Sequence, residues 1–274
     1  MAVKSLKQRI QEMIFEARKV VQNKKAQHAE RKRVNALTKE LLTVVKNPAD
    51  NAAENIRKLV QQGANVNTFD MDKEKSLLHY AAEHNRMDMV KTLLECGCRY
   101  FINVNDSYGK TPAFYAIDNK NPEMLDYLLT NGITTERPLD FNYDSVLRHA
   151  VRSGDVKMAE ICLKHGADVN DRVGETFILL DKYERTYPGP TPLADIVSGQ
   201  EMFNSTQHGQ KEFNEPMVKL LLEHNARTDL KDAYGHDALD KAASPRLHQM
   251  VASQRAKEIS LKAMATKRTN SGME

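Results

Sequence analysis

The sequence predicts an all-α array of stacked helix-turn-helix repeats, and three observations carry that fold class. Closing glycines at 63, 97, 132 and 166 are spaced 34, 35 and 34 residues apart. The Ser or Thr that opens each helix pair, at 76, 111 and 145, is spaced 35 and 34. Each interval between these marks holds two short apolar segments at helical spacing, joined by a polar turn. Self-similarity at a period of about 33 residues is the signature of repeats that bury their apolar faces against one another.

The composition permits such an array and narrows its setting. The 274 residues are 41% hydrophobic and 28% charged, enough to bury a sizeable core, and the net charge of +3 gives no global pull towards nucleic acid or an anionic surface. No run approaches the roughly 18 apolar residues that read as a membrane span, and the start lacks the apolar core of a secretory signal. A cytoplasmic location is the expectation. The three cysteines, Cys96, Cys98 and Cys162, make a poor disulfide framework and read as reduced, packed thiols. No His or further Cys stands near them at zinc-ligand spacing, so no metal is expected.

Residues 3–46 read as helix. Val3, Leu6, Ile10, Met13, Ile14, Ala17, Val20 and Val21 recur at three and four residues and form one apolar stripe. The expected partner of that stripe is the open side of the first repeat, which would make residues 1–33 an amphipathic, basic capping helix. Arg18, Lys19, Lys24, Lys25, Arg31, Lys32 and Arg33 face Glu30 alone between 18 and 33. A solvated helix face is the usual meaning of such a run; nuclear targeting or nucleic-acid binding through residues 18–33 is the alternative.

The repeats follow in order. Leu37, Leu41, Leu42, Val44 and Val45 form one helix, Asn47-Pro48-Ala49-Asp50 breaks it, and Ile56, Leu59 and Val60 form the next before Gly63. Ser76-Leu77-Leu78-His79-Tyr80-Ala81-Ala82 and then Met87 to Leu94 give a second copy. Thr111-Pro112-Ala113-Phe114-Tyr115-Ala116 and Leu125 to Leu129 give a third, with Pro112 in the first turn, where its missing N–H costs nothing. Ser145 to Gly166 is the fourth. The next Leu-Leu pair, Leu221-Leu222, lies 59 residues after Cys162-Leu163, so about 25 residues enter the fifth copy. Either Thr176 or Thr191-Pro192-Leu193-Ala194 could open its first helix, and the second register is favoured. Residues 171–190, with Phe177, Tyr183 and Tyr187, then form an elongated finger, and 198–214 a long loop. A partial sixth copy runs from Asp232-Ala233-Tyr234-Gly235, and residues 257–274 read as a polar tail that frays.

Ser76-Leu77-Leu78-His79, Asp106-Ser107-Tyr108-Gly109-Lys110-Thr111-Pro112 and Gly166-Ala167-Asp168-Val169-Asn170 resemble the ankyrin repeat over roughly residues 34–250. The resemblance implies an ankyrin-repeat solenoid of five to six copies, near 34–68, 69–105, 106–139, 140–170, 171–231 with insertions, and 232–256 in part. Pairs of antiparallel helices joined by finger-like turns would stack into a curved array with a concave face. It also implies that His79 ties neighbouring turns by hydrogen bonds and does not act as a base.

Nothing in the sequence gathers a nucleophile with a base, a phosphate loop or a metal-ligand set. The expectation is a non-enzymatic scaffold, monomeric and without a cofactor, that binds another protein. Stacking fixes the framework positions, which leaves the finger tips and the exposed ends of the first helices free to vary. Carried over from the family's usual contact positions, the candidate residues are Asp72, Lys73, Lys75, Glu83 and His84; Ser107, Tyr108, Lys110, Asp118 and Asn119; and Phe141, Asn142, Asp144, His149, Arg152 and Ser153. Phe177 and Tyr183 of the long finger join them. Tyr108 and Phe141 lead, because aromatics concentrate binding energy. The chain also resembles the stand-alone ankyrin proteins that intracellular bacteria deliver into host cells, which would make the partner a host protein.

Overall fold

The computed structural model describes residues 6–136, 144–172, 174–178, 184–198 and 215–270. The chain divides into two compact units, Met1–Phe101 and Ile102–Glu274. In the first, α1 (Leu6–Lys46) packs on α2 (Ala52–Gln61) and on α3 (Leu77–Glu83), and α4 (Met87–Glu95) packs on α2 and α3. A two-residue hairpin, β1 (Phe69–Asp70) against β2 (Lys75–Ser76), forms the turn that enters α3. Leu41, Val45, Ile56, Leu77, Leu78 and Leu93 are fully buried between these helices. Their three- and four-residue spacing is what places one stripe of each helix inside.

In the second unit the helix pairs are α5 (Pro112–Asp118) with α6 (Pro122–Thr130), α7 (Val146–Ser153) with α8 (Val156–Lys164), and α9 (Pro192–Ser198) with α10 (Glu215–Glu223). First helices contact first helices of the neighbouring pair, and second helices contact second helices, as stacked repeats require. The final α11 (Pro245–Asn270) packs on α10 through Leu247 and Val251, which are 1% and 0% exposed.

The second helices α4, α6 and α8 close the same way. Gly97, Gly132 and Gly166 take φ of 87°, 98° and 84°, and their N–H groups bond back to the carbonyls of Leu94, Leu129 and Leu163. This is the left-handed helix end that glycine accepts and a Cβ resists. Asparagines then tie one repeat to the next. Asn67 Oδ1 accepts from the N–H groups of Arg99 and Tyr100, and its amide donates to the Gly97 carbonyl at 3.2 Å. Asn103 repeats the pattern towards Thr134 and Gly132, and Asn170 accepts from Arg227 N–H at 2.7 Å.

Three features differ from expectation. The apolar stripe near residue 20 does not cap the first repeat: every described residue from Phe15 to Arg33 is exposed, with Val20 and Val21 at 50% and 51%. No Gly or Pro interrupts residues 6–46, so the segment has no point at which to fold back. It continues as one 41-residue helix past the end of α2, which has only ten residues to cover it. The tail past residue 256 is helical to Asn270, again without an internal breaker. The first helix of the sixth copy is reduced to a turn, in which Asp237 Oδ1 accepts from the N–H groups of Leu239 and Asp240. The long finger is a hairpin, β3 (Gly174–Ile178) antiparallel to β4 (Glu184–Pro188), and α9 opens at Thr191.

Candidate partner-binding surface

Two finger turns share one construction. Asp106 Oδ1 accepts from the N–H groups of Tyr108 and Lys110, and Gly109 has φ 73°. Asp232 Oδ1 accepts from Tyr234 and His236 N–H, and Gly235 has φ 80°. Both aspartates are buried, at 3% and 7% exposure, whereas the tyrosines they position, Tyr108 and Tyr234, are 67% exposed. A carboxylate that accepts several backbone donors fixes a loop firmly, so each ring is presented from a rigid tip. In the first unit Asp70 holds the equivalent turn by accepting from Asp72 N–H at 3.1 Å, and Met71 stands 81% exposed there. Tyr234 and Met71 were not among the expected contact residues. The signal for Tyr234 was present in the sequence as the Asp-x-Tyr-Gly pattern at 232–235, the counterpart of 106–109, whereas Met71 stands in Asp70-Met71-Asp72-Lys73, which lacks that pattern.

In each unit the same tie recurs at one register of the repeat. Lys75 Nζ lies 2.8 Å from Glu83, Lys110 Nζ lies 2.6 Å from Asp118, and Arg152 lies 2.6 Å from Asp144. The spacing of eight residues is the same in all three, but the fourth copy has exchanged the acid and the base. Each bond ties the turn before a first helix to the far end of that helix. Lys75 is a correction to the expected set: at 2% exposure, with its ammonium 5.4 Å from the centre of the Tyr80 ring, it stabilises its own repeat and is not offered to a partner. Lys110 stands over Tyr115 at the same distance.

The remaining expected residues fall as follows. Asp72, Lys73, Ser107 and Asn119 are exposed. His84 Nε2 lies 2.9 Å from the Lys46 carbonyl oxygen. His149 Nε2 lies 2.7 Å from Asp118 Oδ1 and its ring is tilted on Phe114, with centroids 5.0 Å apart. Burial pushes the Asp118 carboxyl up, but hydrogen bonds from His149 and Lys110 outweigh it and hold it below the usual range. Ser153 Oγ donates to the Ala150 carbonyl. Phe177 lies in β3 opposite Arg185. Phe141, Asn142 and Tyr183 lie outside the described residues.

One functional-looking residue is structural. Arg148 occupies the register of His79 and is 1% exposed. It lies 2.5 Å from Asp195 and 3.4 Å from Asp144, and it donates to the Pro190 carbonyl at 2.7 Å. It therefore pins the base of the long finger and the start of α9 to α7. His79 itself closes a capping box with Ser76, its Nδ1 2.8 Å from Ser76 Oγ. Among the described residues no group of three or more His, Cys, Asp or Glu could hold a metal ion, and no helix is long and apolar enough to cross a membrane.

A family model described as ankyrin repeats in three copies matches residues 41–138 and 102–173. Residues 41–173 are built of ankyrin repeats. The ankyrin repeat domain of Bcl-3, described as a unique member of the IkappaB protein family, superimposes with a TM-score of 0.58 at 22% identity, over 73% of this chain and 77% of that one. A putative ankyrin repeat protein of Acanthamoeba polyphaga mimivirus is 26% identical over 126 residues, 44% of this chain and 16% of that protein. The putative palmitoyltransferase ZDHHC13 of Danio rerio is 26% identical over 243 residues, 83% of this chain and 37% of its own length. The chain thus spans well under two thirds of these two relatives, and the likeness lies in the ankyrin array. Ankyrin repeats imply a protein–protein interaction module.

Proposed function

We propose that this ankyrin array is a non-enzymatic scaffold that captures a partner protein on its finger tips and on the exposed ends of its first helices. The observation that carries the reading is the pair of rigid tips at Tyr108 and Tyr234, each 67% exposed above a buried aspartate. A large ring held in place loses little conformational freedom on binding, which is why such residues anchor interfaces. The charged residues behind the tips are engaged in ties within their own repeats, so the tips carry the contact and the ion pairs keep their spacing.

The test is proximity cross-linking from Tyr108 and Tyr234 in cells, followed by mass spectrometry, beside the double variant Tyr108→Ala with Tyr234→Ala. The expected outcome is one protein recovered by the native chain and lost from the double variant, while the thermal midpoint is unchanged. A large fall in the midpoint would make the rings part of the framework and end this reading.

A further inference from the structure

The exposed half of α1 has an internal order that the repeats do not require. At roughly 100° per residue, Glu16, Asn23, Gln27 and Glu30 fall within about 60° of one another, on the same line as Val34, Leu41 and Val45 further along the helix. That line is the side of α1 that packs on the repeats, where Leu41 and Val45 are both 0% exposed. Arg18, Val21, Lys25, Ala29 and Lys32 fall within about 40° of the opposite direction, at spacings of three and four residues. Lys24 and His28 flank them. Val21, Lys24, Lys25, His28, Ala29 and Lys32 line one shallow cleft of 420 Å³ along the helix.

The cations on and beside this face are not consumed by the fold. No ion pair joins Arg18, Lys24, Lys25 or Lys32 to an acid among the described residues, whereas Arg33, at the edge of the packed half, bonds Glu30 and the Gln62 carbonyl. Val21 on this face and Phe15 at its edge are 51% and 66% exposed. The segment therefore joins cations and uncovered aliphatic surface on a rigid rod whose acidic residues point elsewhere.

We infer that the far face of α1 docks on an anionic lipid surface. Four to eight cations on an amphipathic helix suit anionic headgroups, which attract each Lys or Arg and fall silent beyond a screening length. Lysine stems lie along the interface with their ammonium groups in the headgroups, and Val21 and Ala29 between them meet the upper acyl chains. A duplex phosphate backbone satisfies the cations equally but gains nothing from covering Val21. Three of the four cations are also lysines, point charges without the planar fork that reads base edges. This inference is independent of the reading of the finger tips.

The full chain is to be sedimented with vesicles of phosphatidylcholine alone and of phosphatidylcholine with phosphatidylserine. The expected result is co-sedimentation with the second and not the first, weakened about a hundredfold or more by Lys24→Glu, Lys25→Glu and Lys32→Glu together, since three cations contribute roughly a factor of five each. Val21→Glu, which leaves every cation in place, should also release the protein. The side chains are exposed, so an unchanged melting curve shows that each variant is folded. Absence of binding to the anionic vesicles, equal binding by the triple variant, or retention on duplex DNA without retention on vesicles would overturn the inference.

Discussion

Lys120 takes φ 52° in the turn between α5 and α6, and Gly154 takes φ 73° at the same register between α7 and α8. A residue with a Cβ is strained there by about 1–2 kcal/mol, part of which glycine gives back as extra freedom of the unfolded chain. Lys120→Gly is therefore expected to raise stability by up to about 1 kcal/mol, read as a higher midpoint in urea. The thiols differ just as sharply. Burial pushes Cys98 and Cys162 up to about 12, so both remain protonated at neutral pH. A thiol reagent at neutral pH should label Cys96 first and reach the other two only as the chain unfolds. Arg148→Ala would leave Asp195, whose carboxyl burial holds above its usual range, with only the longer 3.5 Å contact to Arg152. The cost is expected at about 3 kcal/mol, measured as a fall in the denaturation midpoint. No spacing rule announced that role, because Arg148 sits where the second copy has His79 and the third has Phe114. The register was legible; which chemistry the fourth copy would place in it depended on Asp195, 47 residues away.

The short helices were written in the sequence by local means. Ser76, Thr111 and Ser145 precede apolar runs, glycines follow them, and α3, α5 and α7 begin one residue after those caps. The long terminal helices were not, because their lengths are set by what is missing. Between Leu6 and Lys46 there is no Gly or Pro, and a helix that has started continues cheaply until something stops it. An amphipathic stripe at Val20 and Val21 suggested a cap, but a cap needs a turn before it can fold back. Since every described residue from 15 to 33 is exposed, removal of residues 1–30 should leave the melting temperature of the repeats unchanged. A drop comparable to the loss of a core residue, about 2–5 kcal/mol, would show that the helix does support them.

At the scale of the whole molecule, acid should dissolve what the aspartates hold together. Asp70, Asp118, Asp232 and Asp237 are each raised by burial and lowered more by hydrogen bonds from Lys46 and Tyr80, from His149 and Lys110, from Lys241, and from Arg255. Their folded pKa values lie below the unfolded value of about 3.9. The stability they contribute is complete above that pH and is lost as pH falls through the folded values. The thermal midpoint is expected to be flat near neutrality and to fall steeply below about pH 4, with Asp118→Asn flattening part of that fall.

Repeat architecture was legible because 34- and 35-residue spacings survive sequence divergence. The contact surface was only partly legible. The same charged positions that family resemblance offers to a partner, such as Lys75 and Arg152, are bonded within their own repeats, and only the folded chain reveals that the acid and base exchange places between copies. Tyr108 was visible as an aromatic at a turn, and Tyr234 as its counterpart in a copy that looked incomplete. Amide hydrogen exchange on the captured complex tests the finger-tip scaffold most directly. Slowed exchange at residues 106–110 and 232–236 on partner binding is the expected result, and protection confined to other segments, with those two turns unchanged, would contradict it.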